Sequence, residues 1–314
     1  MEGVVDYTLR ALLTEVGGID QCVTEFIRVS DRLLPASVFH RLAPELRQQG
    51  RTSSGVDVIV QLLGSDPQAL AENAARAVEL GAPGIDLNFG CPAKTVNKSR
   101  GGAVLLDEPE TIHAILVAVR AAVPAGIPVS AKMRLGYRDT SRALENADAI
   151  ASAGVQSLAV HARTKVEGYR PPAHWEWIAR IREAISIPVI ANGEVWSVED
   201  YHRCRSVSGC DDVMIGRGLV ANPFLALAIK GDGPDAQQAW EAVVPLLIRF
   251  HREVMDNLSP RHIHGRLKQW LQMLGWHFPQ AQALFMQLRQ EKDPQQLLRA
   301  LCDAQLALSQ PRSA

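Results

Sequence analysis

The sequence predicts an α/β fold, a (β/α)8 TIM barrel lacking its first strand, followed by a small all-α helical domain. Three observations carry this expectation. Seven short apolar runs alternate with amphipathic stretches in the first part of the chain. Five polar residues stand at or just past the ends of five different runs. After Gly231-Asp232-Gly233-Pro234 the strand pattern stops and helical periodicity takes over. The domains are therefore drawn at 1–232 and 233–314.

The strand runs are Cys22–Phe26, Val56–Leu62, Gly84–Asn88, Pro128–Arg134, Ser157–Arg163, Pro188–Asn192 and Asp212–Gly216. They are mostly apolar throughout, as strands buried on both faces of a parallel sheet are. Helices are expected between them at Pro67–Leu80, Pro109–Val123, Leu144–Ala153 and Trp175–Ile185, with Gly81 and Gly154 closing two of them as left-handed caps. A doubly wound sheet shows the same alternation. The polar residues Gln61, Asn88, Lys132, His161 and Asn192 decide between the two. In a barrel the C-terminal strand ends converge on one face, whereas an open sheet spreads them along an edge. The opening Met1–Asp6 reads as a loop leading into a helix at Tyr7–Val16. The eighth strand is therefore expected upstream, and a start assigned too far downstream is preferred to a shortened product. In the tail, helices are expected at Gln237–Val254, His262–Leu274, Gln280–Leu288 and Pro294–Leu308.

Composition bounds the function. At 47% hydrophobic and 21% charged over 314 residues, the chain is an ordinary globular protein, neither disordered nor fibrous. A net charge of -1 means that any nucleic acid is held by local patches and not by an overall basic field. No apolar run is long enough to span a membrane, and no signal peptide opens the chain. The five cysteines are scattered and never form a CxxC pair. Neither a disulfide framework nor a metal site is expected, and a reducing cytoplasm fits.

The chemistry concentrates in a few segments. Gly84–Asn88 runs into Phe89-Gly90-Cys91-Pro92, a turn that displays a thiol over the barrel mouth. A free cysteine is most often only a small buried residue, but loops at strand ends are where function collects. Lys132, with Met133 and Arg134, ends another strand. A lysine there is either an ion-pair partner or waits for something anionic. His161 and Arg163 end the next strand. Asn192-Gly193-Glu194 and Gly216-Arg217-Gly218 follow the last two, with a short helix expected at Asn222–Ile229. Glycine-bearing loops and a short extra helix at these positions form the usual phosphate site of such barrels. The amides of Gln61, Asn88 and Asn192 match the donors and acceptors on a flavin edge, and a cation near N1 and O2 favours reduced flavin. FMN is the expected cofactor. No GxGxxG motif suggests a tightly held dinucleotide.

The segment Asn88–Asn97, continuing through Gly101-Gly102-Ala103-Val104-Leu105-Leu106, resembles the tRNA-dihydrouridine synthases. Its Cys-Pro-x-Lys-Thr-Val-Asn form is similar to the branch that acts on uridine 16 of the D-loop. So are Thr24–Arg28 and Arg266-Leu267-Lys268-Gln269-Trp270. The similarity runs over nearly the whole chain. It implies an FMN barrel and a helical domain that grips tRNA, with NADPH as external reductant. Uridine would be saturated at C5–C6, with Cys91 as general acid to C5 and flavin N5 delivering hydride to C6. It implies FMN contacts from Gln61, Lys132, His161, Asn192, Gly193, Glu194, Gly216 and Arg217. Met1, Glu2 and Gly3 would end a flavin-contacting loop. Arg28 and Asn88 would lie near the target base. Lys94, Lys98 and Arg100 on the catalytic loop, and Arg266, Lys268 and Arg289 in the tail, are expected to meet tRNA phosphates. A monomer is expected. The competing readings are an FMN barrel acting on a small molecule, similar to dihydroorotate dehydrogenase, and a truncated tRNA-binding protein without catalysis.

Overall fold

A computed structural model describes residues 2–258 and 260–309. Two compact units divide the chain: Asp20–Ile215 forms one, and Gly3–Ile19 together with the segment from Gly216 onward forms the other.

The larger unit is a TIM-barrel-like parallel sheet with helices between its strands. Its strands are β1 (Gln21–Val23), β2 (Ile27–Arg28), β3 (Asp57–Leu63), β4 (Ile85–Phe89), β5 (Val129–Arg134), β6 (Ser157–His161), β7 (Val189–Asn192) and β8 (Val213–Met214). The order is β1-β3-β4-β5-β6-β7-β8, with β2 also on β3 and every pairing parallel. The expected strand at Cys22–Phe26 is therefore two pieces of one barrel strand. Val23 pairs Ile59 and Ile27 pairs Leu62, so four steps on one side face three on the other. This is a bulge, an extra residue that bends the strand. Thr24 manages the break, taking the Gln61 amide on its hydroxyl at 3.0 Å while donating its own amide to Ile59 O. The seven expected strand units are all present, and among the described residues no ladder joins β8 to β1.

The chain's helices are α1 (Tyr7–Val16), α2 (Ala36–Leu42), α3 (Pro67–Glu79), α4 (Lys94–Lys98), α5 (Pro109–Ala122), α6 (Ala143–Ala151), α7 (Trp175–Ala184), α8 (Val198–Ser208), α9 (Arg217–Ala221), α10 (Leu225–Ile229), α11 (Ala236–Asn257), α12 (Pro260–Leu274), α13 (Pro279–Leu288) and α14 (Pro294–Ser309). Local rules set several starts. Asp66 caps α3 through the Ala69 amide at 2.7 Å, with Pro67 in the first turn. Ser197 caps α8. Asp235 and Gln238 form a reciprocal capping box on α11, which satisfies amides that the helix itself cannot. The barrel core is built from strand residues such as Ile85, Leu87, Val129, Ala131, Met133, Leu158 and Val160, all essentially buried. Helices α3, α5 and α7 close over it with Leu70, Ile112, Ile115, Leu116 and Ile178.

Among the described residues, the regular elements of the second unit are all helices. It begins earlier than residue 233, because α1 packs Leu9, Leu12 and Leu13 into the same core as Val220, Val243, Leu247, Leu267 and Leu271. Trp270 sits at its centre, edge-on to Phe250 with centroids 4.8 Å apart, and donates its indole N–H to Val220 O at 3.1 Å. The expected Asn222–Ile229 helix is present as α10, starting three residues later at Leu225, and a further short helix, α9, precedes it; between them the Asn222 side chain takes the Phe224 amide. Arg266 ties the first residues of this unit to α12. Its guanidinium donates to Gly3 O at 2.8 Å, Val4 O at 3.0 Å and Asp6 Oδ2 at 2.6 Å. The other oxygen of Asp6 caps α1 through the Leu9 amide.

Removing that guanidinium strands a carboxylate and two carbonyls. Arg266→Met is expected to lower stability by about 2 kcal/mol, read by urea denaturation. Within that sample, protease cleavage before Tyr7 should accelerate. An unchanged midpoint would show that the tie carries no weight.

Candidate active site

In the barrel unit the register sets the strand ends side by side. Asn88 pairs Lys132, Arg134 pairs His161, and His161 pairs Asn192. The polar residues picked out along the sequence thus stand on neighbouring strands, and hydrogen bonds join two pairs of them, Asn88 with Gln61 and Lys132 with Asn192. Gln61 and His161 are buried, with Asn88, Lys132 and Asn192 partly so.

Asn88 organises the loop after β4. Its Oδ1 accepts the amides of Gly90 and Cys91, each at 2.9 Å, while its Nδ2 donates to Gln61 Oε1 at 2.7 Å. The Cys91 carbonyl is held as well, by Asn97 Nδ2 at 2.8 Å and the Ala103 amide at 3.1 Å. Gly102, at φ 68°, leaves room for this: a Cβ there would lie 2.8 Å from Cys91 O. The Cys91 side chain packs beside Phe26, Leu63 and Val96. Burial pushes its thiol pKa up, with the Ala93 backbone N–H opposing. The group is therefore a thiol, not a thiolate, at neutral pH.

Lys132 donates from Nζ to Asn192 Oδ1 at 2.9 Å, and Asn192 Nδ2 donates to Met214 O at 2.7 Å. Burial, helped by the nearby Arg134 cation and opposed by Asp86, brings the Lys132 pKa down to about 8. Three side chains clamp the turn that follows. Trp175 Nε1 donates to Gly193 O at 2.9 Å, Trp196 Nε1 to Glu194 Oε1 at 3.1 Å, and the fully buried Arg163 pairs with Glu194 Oε2. Gly193 has φ 116°, and a Cβ on it would come within 2.8 Å of His161 Cδ2. Only glycine lets this backbone lie against the imidazole.

The donor set suits a flat ring with a polar edge. Lys132 has two further N–H groups beyond its bond to Asn192, and Gln61 Nε2 has one beyond its bond to Asp86. The Gly193 backbone is bare of side chain beside His161. These residues fit a flavin, with no rearrangement needed to free a donor.

Asp86 and Tyr169 escaped the reading of the sequence, and Arg134 was named there without a role of its own. Asp86, inside an apolar strand, accepts from Gln61 Nε2 at 2.7 Å and Ser130 Oγ at 2.6 Å. Arg134 donates to Gly90 O at 2.8 Å and to the carbonyls of Thr164 and Gly168. Its guanidinium lies 5.2 Å from the Tyr169 ring centre, which in turn is 6.0 Å from the His161 ring. An acid at the midpoint of an apolar run is a visible signal for Asp86. Nothing local marks Tyr169.

The other expected residues lie as follows. Arg28 ends β2, 3.5 Å from Glu2 and over the Phe26 ring, and lines a cavity of about 250 Å³ with Glu25, Arg41 and Leu42. Lys94 and Lys98 are exposed on α4. Arg100 is committed to Glu108 at 2.7 Å. Arg266 holds the segment before α1, and Lys268 donates to the carbonyls of Arg289 and Glu291. Arg289 is exposed at the end of α13. Gly216 and Arg217 open α9 in the helical unit, and Gly3 belongs to the same unit, in the turn ahead of α1. Met1 lies outside the described residues. Among the described residues no group of three or more His, Cys, Asp or Glu is arranged for a metal ion.

Comparison with known proteins gives this arrangement a class. The dihydrouridine synthase (Dus) family profile matches residues 1–308. The chain is 62% identical over 304 residues to the tRNA-dihydrouridine(16) synthase of Pseudomonas putida, covering 96% of this chain and 94% of that one. It is 58% identical over 313 residues to that of Aquipseudomonas alcaligenes, covering 98% of each. It is 50% identical over 311 residues to that of Shewanella oneidensis. Among solved structures, the histamine dehydrogenase of Rhizobium sp. 4-9 superposes with a TM-score of 0.55 at 15% identity, covering 80% of this chain and 47% of that one. That likeness concerns the fold alone. The chain belongs to the dihydrouridine synthase family.

A thiol with a raised pKa alkylates slowly. Cys91 is expected to react with iodoacetamide more slowly than glutathione at pH 7.5, and its rate should climb at higher pH than glutathione's. Peptide mass spectrometry across pH 7 to 10 measures this; a profile shifted the other way would contradict the buried thiol.

Proposed function

We propose that this chain reduces the C5–C6 bond of uridine 16 in the tRNA D-loop to 5,6-dihydrouridine, with FMN bound in the barrel and NADPH as reductant, in the cytoplasm. The observation that supports this best is the pinned thiol. Cys91 is held at its amide and its carbonyl, and it keeps its proton. That is what a general acid requires.

FMN, when bound, supplies the hydride that adds to C6. The rest of the work falls to this chain's residues. Cys91 Sγ–H gives its proton to C5 on the nascent carbanion, so that the base gains two hydrogens and the thiolate is reprotonated from solvent. Lys132 and Gln61 grip the flavin edge, and the ammonium favours the anionic reduced ring. The clamped Asn192-Gly193-Glu194 turn and His161 serve the cofactor's tail, joined by Gly216 and Arg217 on the evidence of sequence. Arg28 and Asn88 meet the uridine, which must leave the folded D-loop to reach them. The helical segment from residue 233 grips the tRNA. Lys94, Lys98 and Arg289 are exposed and fit phosphate contacts. Arg100, Arg266 and Lys268 spend donors on the protein itself.

Two outcomes are expected. Cys91→Ala should bind FMN and tRNA normally, yet lose turnover by roughly 10²–10⁴-fold, the usual worth of a positioned proton donor. Primer-extension mapping of dihydrouridine in tRNA incubated with each protein measures it, and turnover at the wild-type rate would remove Cys91 from the chemistry. Lys132 is charged below about pH 8 and neutral above it. FMN affinity should therefore fall between pH 7 and 9.5 in the wild type and stay flat, and weaker at pH 7, in Lys132→Met. Fluorescence titration reads this directly; parallel pH curves would exclude the lysine.

A further inference from the structure

We infer that Asp86 is a positioning residue for Cys91, acting through the Gln61 and Asn88 amides to hold the loop that carries the thiol. An amide side chain has a donating end and an accepting end, so a chain of amides transmits polarity from one terminus to the other.

At one terminus stand two backbone N–H groups, those of Gly90 and Cys91, which can only donate. They require Asn88 Oδ1, which leaves Asn88 Nδ2 to face Gln61 Oε1 at 2.7 Å. Gln61 must then turn Nε2 to its other neighbour, and this neighbour is Asp86 Oδ2 at 2.7 Å. Every link agrees with the next only because the far terminus is an acceptor. Asp86 is 2% exposed and its second oxygen is occupied by Ser130 Oγ at 2.6 Å, so the carboxylate is fixed in place.

Without that acceptor, Gln61 loses the partner that fixes its orientation, and Asn88 Oδ1 is held in place by the two loop amides alone. A flipped Asn88 would set its own N–H groups against those of Gly90 and Cys91. The loop would then lose the acceptor that draws it onto the strand end. Asp86 itself touches neither Cys91 nor the ring-binding donors of Lys132 by any hydrogen bond described here. Its effect on the thiol runs through two side chains. Its meaning for catalysis rests on the reading of Cys91 as proton donor; the relay itself does not.

The test uses the full-length protein without flavin, treated with iodoacetamide at fixed pH and followed by the mass of the Cys91 peptide. Asp86→Leu removes the acceptor at nearly constant volume and is expected to speed Cys91 alkylation roughly tenfold, the equivalent of about one lost hydrogen bond. Asp86→Asn keeps an acceptor for Gln61 and should stay within about twofold of wild type. Ser130→Ala removes the other bond of Asp86 and should leave the rate unchanged, which a purely structural role for the strand would not predict. If Asp86→Leu fails to fold, Gln61→Met cuts the chain one link nearer the loop and should give the same acceleration. Wild-type alkylation in the cut variant, or equal acceleration in Asp86→Asn, overturns the relay. In the flavin-loaded protein, Asp86→Leu should lower kcat for uridine reduction with KM for tRNA nearly unchanged. Full turnover in Cys91→Ala would instead defeat the functional reading, leaving the alkylation series to decide the relay alone.

Discussion

A single side-chain oxygen, Asn88 Oδ1, sets the course of the loop that leaves β4. By accepting two consecutive amides it converts the end of β4 into a fixed turn and determines where the next thiol stands. A backbone N–H left without a partner at such a place would cost about as much as a lost hydrogen bond. The loop therefore has one favoured course. Its other ties, at the Cys91 carbonyl and at Gly102, are compatible only with that course.

Around this point the protein accumulates groups that its core alone would reject. Lys132 is desolvated far enough to bring its pKa to about 8, which corresponds to a penalty of about 3 kcal/mol for keeping its charge at neutral pH. Arg134 and Arg163 are buried too. The fold tolerates them by supplying acceptors: Gly90 O, Thr164 O and Gly168 O for the first, Glu194 and Pro172 O for the second. Sites of this kind gain specificity at some expense of stability. The surrounding apolar barrel, with Ile85, Val129, Ala131 and Leu158 all buried, supplies the margin.

Much of this was legible along the chain. Runs such as Ser157–Arg163, of which the strand takes Ser157–His161, are short and mostly apolar, so period and length alone identify them. The strand-end residues Gln61, Asn88, Lys132, His161 and Asn192 followed from knowing where barrel strands stop. Other features depend on partners far away in sequence. The bulge at Thr24–Phe26 exists because β3 runs one residue shorter alongside it. Two tryptophans lock the Gly193 turn from α7 and from the turn's own exit, which no local pattern announces. Arg266 and Lys268, expected from the sequence to meet tRNA phosphates, turn out to spend donors on Gly3, Val4, Asp6 and the α13 terminus, partners that no local pattern announces. The family likeness pointed to the helical tail but not to the recruitment of α1 into it.

That recruitment bears on how the polypeptide matures. Leu9, Leu12 and Leu13 find their core only among residues beyond Gly216. During synthesis α1 must wait, apolar face uncovered, while some 250 further residues are made. At roughly 5–20 residues per second that is about 12–50 s. The intervening barrel segment is contiguous and can collapse meanwhile. Of the two assemblies, the helical one closes last, and the nascent chain keeps the apolar face of α1 uncovered until α11 and α12 emerge.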